Sequence, residues 1–358
     1  MRILIDIGHP GHVHYFKNII NYFKNHRHDV LVVAREREVI SALLKKLNIE
    51  FINRGSGANS KIGKVLYMFK ADLQMLILSL KFKPDLFLSF TSPYPAHISF
   101  LFRRPHIAIN DTEHVDKLNS KLTYPYCSCI ITPDSYLNDL GEKQIRFKSV
   151  VEGLYLHKEF FKPDVDIKKA LHIKDNEEYI LMRFVSWNAH HDVGHSGIDL
   201  ETKRKLIALL KLKYKIFISS ENELPEEFNQ YKIDIEPSKI HDVLAQATLF
   251  IGESATMASE STLLGTEAVY INSLPLMGYL KFEQDSGMLK HFESSAGVLE
   301  YVSKKILEPD LKLNSFNKSA HMQRDFINPT KFLIWFLENY PESKEVIKKD
   351  HEFQLKFK

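Results

Sequence analysis

From the first residues onward, short runs of aliphatic and β-branched side chains alternate with longer segments whose apolar residues recur at helical spacing. Residues 3–7 predict a strand, 12–25 a helix, 29–34 a strand and 37–47 a helix. A short strand around Phe51, a long helix over about residues 61–81 and strands at 85–90, 106–109 and 129–132 continue the series. Strands that alternate with helices in this way form parallel βαβ units, so the expected class is α/β.

The rhythm breaks at GLYLHKEFFKPDVD, residues 153–166, which carries Pro163 and reads as a linker. A second series follows, with strands expected at 179–185, 215–219, 233–235, 249–252 and 269–272 and a helix at 199–212. Two Rossmann-like halves, residues 1–158 and 159–328, are the simplest arrangement, and a length of 358 residues suits two domains. No repeat of 20–50 residues is visible, which removes solenoids and propellers. Beyond Pro329, the spacing of Phe332, Leu333, Trp335 and Phe336 predicts an amphipathic helix, and the tail 329–358 is expected to return to the first domain.

Composition narrows the function classes. Hydrophobic residues at 44% and charged residues at 26% exclude a disordered chain. Two cysteines, Cys127 and Cys129, exclude a four-cysteine zinc site and a disulfide framework, which fits a reducing compartment. The first residues contain no apolar stretch of signal-peptide length, so the expected location is the cytoplasm. The most apolar window, 65–80, is interrupted by Lys70 and Asp72 and falls short of the ~20 residues that cross a bilayer; it reads as a buried helix. Net charge is +3, yet residues 1–158 hold 22 Lys+Arg against 14 Asp+Glu, leaving 26 against 31 for the remainder. Such asymmetry points to an anionic partner for the first half, unless neighbouring ion pairs absorb it.

Ligands of doubly wound sheets lie beyond the carboxyl ends of the strands, which directs attention to four loops. The first, Gly8-His9-Pro10-Gly11-His12-Val13-His14, permits a tight turn at a helix start and offers histidines as proton acceptors, or as mere turn caps; it is not a dinucleotide GxGxxG fingerprint. The second, Asn110-Asp111-Thr112-Glu113-His114, combines carboxylates with an imidazole, where Asp111 or Thr112 can alternatively be a simple N-cap. The third, Ser186 to His195, includes Trp187, His191 and His195; the two histidines have HExxH-like spacing, but Gly194 and Gly197 make the segment a loop, which favours phosphate or base contacts over a metal, with a purely structural turn as the plain alternative. The fourth runs from Gly252 through Ser254, Ala255 and Thr256 to Glu260, a strand entering a helix rich in small residues. Free amides at that helix start favour a diphosphate and Glu260 suits ribose hydroxyls, while Ser254 as a bare N-cap is the plain alternative.

These segments resemble GT-B glycosyltransferases and the related UDP-GlcNAc 2-epimerases. The combination GHPGHVHYF, INDTEH, the ITP beginning at Ile131 and EGLYLH resembles a poorly characterised bacterial and archaeal branch of that superfamily, over nearly the whole chain. The resemblance implies a GT-B-like fold: two Rossmann-like domains facing each other across a cleft, with the C-terminal helix packing back on the N-terminal domain. It implies a UDP-sugar as donor substrate, with no cofactor and no metal. Gly11 and His12 match the glycine and histidine in the first loop of the peptidoglycan N-acetylglucosaminyltransferase. Ser254, Ala255 and Thr256 fall on the diphosphate loop and Glu260 on the acid that binds ribose. Three departures weigh against the epimerases: Ala255 stands where they carry glycine, no second acid follows Glu260, and Ser89-Phe90-Thr91-Ser92 replaces their His-Gly-Asp.

The leading expectation is therefore inverting, metal-independent transfer of a sugar from a UDP-sugar to an acceptor hydroxyl, in cell-surface polysaccharide or glycolipid biosynthesis. His12 or Glu113 would be the base, with Asp111 and His114 completing the catalytic group. Gly8, Gly11, Arg183, Ser186, Trp187, His191, Gly252, Ser254, Ala255, Thr256 and Glu260 would bind the nucleotide sugar, Arg183 giving a second positive contact. The acceptor is expected to be a sugar or lipid-linked sugar, approached by peripheral membrane contact of the basic half. Hydrolysing 2-epimerase chemistry is the alternative. A nucleic-acid module is the minor one, and no recognition helix, zinc finger or RNP pattern supports it.

Overall fold

The computed structural model describes residues 1–58, 60–185 and 197–358, which divide into two compact units, Met1–His157 with Phe326–Lys358, and Lys158–Asp325. The first carries 27 Lys+Arg against 19 Asp+Glu and the second 21 against 26, so the charge asymmetry follows the structural division.

Seven parallel strands form the first sheet: β1 (Arg2–Ile7), β2 (Asp29–Ala34), β3 (Ile52–Asn53), β4 (Leu86–Ser89), β5 (His106–Ile109), β6 (Cys129–Pro133) and β7 (Gln144–Phe147). Their order is β3-β2-β1-β4-β5-β6-β7, so the topology reverses between β1 and β4 and opens a crevice at their carboxyl ends. Central strands read as continuous apolar runs because helices cover both faces: Ile3, Leu4, Ile5 and Ile7 are wholly buried. Helix α1 (Pro10–Asn25) starts where His9 caps it and Pro10 cannot donate, and Val13, Phe16, Ile20 and Phe23 form its buried stripe. It is followed by α2 (Glu38–Lys46), α3 (Lys61–Phe82), α4 (Pro93–Leu101), α5 (Asp116–Leu122) and α6 (Gly153–Leu156).

Two expectations are corrected here. Helix α3 is not buried all round: Ala71, Met75 and Ser79, four residues apart, face the interior, whereas Val65, Leu66, Phe69, Leu73, Ile77 and Leu80 are exposed. The window is apolar on more than one face, and the sheet covers only one. The supposed linker 153–166 is in its first part the buried turn of α6. Leu154 O accepts from Asn18 Nδ2 (2.8 Å) and from Thr330 Oγ1 (2.7 Å), so α1 and the C-terminal segment both hold it in the first unit. The chain leaves that unit after His157. The returning segment forms a helix at Pro329–Glu338, capped by Asn328, with Phe332 stacked on Phe147.

The second unit has five parallel strands, β8 (Tyr179–Phe184), β9 (Lys215–Ser220), β10 (Leu249–Gly252), β11 (Ala268–Ile271) and β12 (Leu289–Phe292), in the order β12-β11-β10-β8-β9. The strand expected at 233–235 does not form. One bridge joins Lys232 to Ile218, and the alternating exposed residues Asp234 and Glu236 then lead to Pro237, which ends pairing at this sheet edge. Strands β7 and β12 were not expected, since QIRF and LKHF are too short and polar to stand out. Among the described residues no helix is long and apolar enough to cross a membrane.

Candidate functional site

In the first unit the expected residues gather at the carboxyl ends of β1, β4 and β5. The turn after β1 is fixed by two histidines: His9 Nδ1 accepts from the Gly11 amide and His12 Nδ1 accepts from the Gly8 amide, both at 3.2 Å. His12 packs on Phe90 from the loop after β4, ring centroids 4.8 Å apart. Burial holds its imidazole well below the usual range, and the charges of His9 and Arg54 act in the same direction. A neutral ring whose Nδ1 accepts a hydrogen bond carries its proton on Nε2. With Nδ1 engaged by the Gly8 amide, Nε2 is the donor of that neutral ring. His14 turns instead toward Tyr155, at 5.3 Å.

Two strands over, Asp111 follows β5. Its carboxyl is buried, 6% exposed, and accepts from Thr112 Oγ1 at 2.6 Å. Burial pushes its pKa up to about 6, assisted by the Glu113 carboxylate and opposed by the Thr112 hydroxyl. Since β4 separates β1 from β5, the ends of the two strands stand about 10 Å apart. Glu113 Oε1 accepts from the Leu137 amide at 3.0 Å, tying this loop to the one after β6, and His114 is exposed. A polar network anchors the segment from below. Asp116 accepts from Asn110, Tyr124 and Tyr136, and that carboxylate together with burial raises both phenols.

Three features of this unit escaped the sequence reading. Arg54, at the end of β3, forms a buried ion pair with Asp6 of β1 (Nε to Oδ1 2.7 Å), donates to Tyr67 Oη (2.6 Å) and stacks on Tyr94. His106 lies wholly buried between Ser89 Oγ (2.9 Å) and Cys127 Sγ (3.2 Å), its basicity pushed down to about 3 by burial. Thr91, just beyond β4, has φ 47°, a left-handed backbone that a β-branched residue adopts only under strain, in the loop that also supplies Phe90 to His12. The partners of Arg54 and His106 lie 13–48 residues away in sequence, beyond any local pattern.

In the second unit β10 enters the helix Ala255–Leu263 through Ser254, whose Oγ accepts from the Met257 amide at 3.4 Å. Capping leaves the amides of Ala255 and Thr256 without intrahelical acceptors, at a partly exposed helix start. Glu260, further along that helix, is buried and pairs with His241 Nε2 at 2.9 Å, a partner the sequence did not suggest. Gly252 is required by packing: a Cβ there would lie 2.9 Å from the Arg183 carbonyl across the β10–β8 pair. The Arg183 guanidinium donates to Ser219 Oγ and Glu221 Oε1, both at 2.7 Å, so a carboxylate just beyond β9 pairs with it. Buried Glu253 accepts from the amides of Val185 (2.8 Å) and Ile198 (2.7 Å) and draws those two positions to one carboxylate. The expected residues Ser186, Trp187 and His191 lie outside the described residues.

A model of the family described as "protein of unknown function (DUF354)" matches residues 1–315. The chain belongs to the DUF354 family. An uncharacterized protein of Methanocaldococcus jannaschii is 25% identical over 315 residues, covering 84% of this chain and 91% of that one. Among solved structures, the UDP-GlcNAc 2-epimerase of Neisseria meningitidis bound to UDP-GlcNAc has a TM-score of 0.68 at 14% identity, covering 95% of this chain and all (100%) of that one. Spinosyn rhamnosyltransferase SpnG complexed with spinosyn aglycone has a TM-score of 0.60 at 12% identity, again over 95% and 100% of the two chains. This DUF354 protein thus has the GT-B-like fold of epimerases and glycosyltransferases, built from two Rossmann-like units.

Proposed function

We propose that this protein is an inverting glycosyltransferase that moves a sugar from a UDP-sugar to an acceptor hydroxyl, without a metal ion or organic cofactor. The observation that carries this reading is Asp111, a buried carboxyl at the carboxyl end of β5 whose pKa near 6 suits a base working at neutral pH. Ionised Asp111 takes the hydroxyl proton while the acceptor oxygen bonds to the anomeric carbon. The bond from that carbon to the diphosphate breaks, and the electron pair leaves with UDP. In the second unit, the amides of Ala255 and Thr256 and the dipole of their helix suit the negative charge of a diphosphate. His12, through Nε2–H, donates to an oxygen of the bound sugar or acceptor. The UDP-GlcNAc and aglycone named for the two solved structures support a nucleotide-sugar donor and a separate acceptor here.

The acceptor belongs to a cell-surface polysaccharide or glycolipid, met at an anionic membrane. The net positive charge of the first unit supports this, as does the exposed stripe Leu66, Phe69, Leu73, Ile77 and Leu80 on α3, flanked by Lys70 and Lys81. The deciding experiment is incubation of purified protein with UDP-GlcNAc in the absence of an acceptor. Slow or no turnover, with UDP raising the melting temperature, fits a transferase. Rapid release of UDP and N-acetylmannosamine would establish hydrolysing epimerase chemistry in its place.

A further inference from the structure

Arg35 follows β2 directly, one strand from Arg54, and its guanidinium is half-buried. Its Nε donates to Ser56 O at 2.9 Å. Gly57, at φ 88°, lies so close beneath that a Cβ there would fall 2.5 Å from Nη2, so the glycine is what lets the guanidinium lie against the loop. No carboxylate among the described residues pairs with Arg35, in contrast to Arg54, which Asp6 neutralises. Burial and the neighbouring Arg37 and Arg54 depress its basicity, while the nearby Tyr67 and Tyr94 act the other way. Arg54 Nη2 lies 3.4 Å from where a Gly8 Cβ would stand, which brings this cationic corner to the turn that carries His12. A half-buried guanidinium held in place, with its terminal nitrogens turned to no acceptor and no counter-charge among the described residues, is arranged for an external anion.

We infer that Arg35, seated on Gly57 and backed by Arg54, binds an anionic group of the acceptor, a carboxylate or phosphate on a sugar, at the carboxyl ends of β2 and β3. That the anion belongs to an acceptor rests on the transferase reading; that it is an anion rests on the Arg35 guanidinium, which no carboxylate among the described residues pairs. A surface arginine merely solvated would be free of both the glycine seat and the fixed Nε bond.

Titration calorimetry and thermal shift on the full chain test it, using glucuronate, glucose 6-phosphate, neutral glucose and, separately, UDP. Either anionic sugar is expected to bind with an affinity that falls as salt is added, and to be preferred to glucose by at least about tenfold. The two anionic arms tell carboxylate from phosphate. Arg35→Gln is expected to remove that preference and Arg35→Lys to retain part of it, because lysine keeps the charge without the fork. The melting shift with UDP is expected to be the same in all three proteins. Equal affinity for glucose and both anionic sugars, or an Arg35→Gln protein that still prefers them, overturns the inference. Parallel loss of the UDP shift in Arg35→Gln also overturns it, since the anion held would then belong to the donor. Absence of any UDP shift in the unaltered protein, with anionic sugars still preferred, counts against the transferase reading and leaves the anion site standing.

Discussion

At the carboxyl ends of β1 and β5 the first unit collects ionisable groups whose protonation is set by burial, Asp111 raised to about 6 and His12 held neutral. At the end of β10 the second unit offers mostly uncharged groups, the amides of Ala255 and Thr256 and the Ser254 hydroxyl, with Arg183 paired to Glu221 nearby. Glu260, on the helix that starts there, is paired with His241, and burial keeps Glu283 protonated beside Ser259 Oγ at 2.5 Å. The same type of sheet thus presents titratable groups in one unit and fixed dipoles in the other. Titratable groups can change state during a reaction, whereas amides hold a charge that the ligand itself carries.

This contrast breaks most sharply at Asp111. Asp111→Asn is expected to lower turnover by about 10²–10⁴-fold while leaving the UDP melting shift intact. A base must be ionised, so the unaltered enzyme should lose activity as pH falls through about 6, and a rate profile flat between pH 5 and 8 would remove Asp111 from that role. Next in size, Glu260→Ala should weaken UDP by about tenfold or more, measured by calorimetry. His12→Ala, in contrast, should leave UDP affinity near the original and depress turnover; equal losses of affinity in both would erase the division between the units.

A third measurement probes stability. Glu283, wholly buried, has its pKa pushed up to about 8 by burial, with Ser259 and Thr262 pulling the other way. Its folded-state value exceeds the unfolded one, so its contribution is full below about pH 4.5 and is lost as pH rises to about 8. Glu283→Gln lacks this titration, and melting curves should show it gaining on the unaltered protein by about 5 °C between pH 5 and pH 8. The smallest effect belongs to Thr91. Glycine at φ 47° relieves the side-chain strain, so Thr91→Gly should raise or hold the melting temperature, within about 1 kcal/mol of stability, while loosening the Phe90 contact and reducing turnover.

Much of the architecture was legible because it is local. The strand at His106–Ile109 and the helix at Pro329–Glu338 coincide with their sequence patterns, since period and capping are written within a few residues. The errors arose where a neighbour decides. Apolar residues on α3 promised burial, but the pattern cannot say how many faces a sheet will cover. Residues 153–156 looked like linker because the partners that bury them, Asn18 and Thr330, lie more than 130 residues away in either direction. At the site, His12 was found by its loop, but its tautomer follows from the Gly8 amide; Arg183 was found by its place at the end of β8, but its charge is claimed from β9.

The sequence by itself determined the alternation of parallel strands and helices, the two Rossmann-like halves, and the loops after β1, β5 and β10 where chemistry can gather. Only the tertiary structure decided which of those residues are charged, neutral or already paired. The physical reason is that backbone conformation responds to the nearest few residues, whereas a proton or an ion pair responds to the dielectric and the partners that folding brings from afar, as Arg54 is brought 48 residues to Asp6.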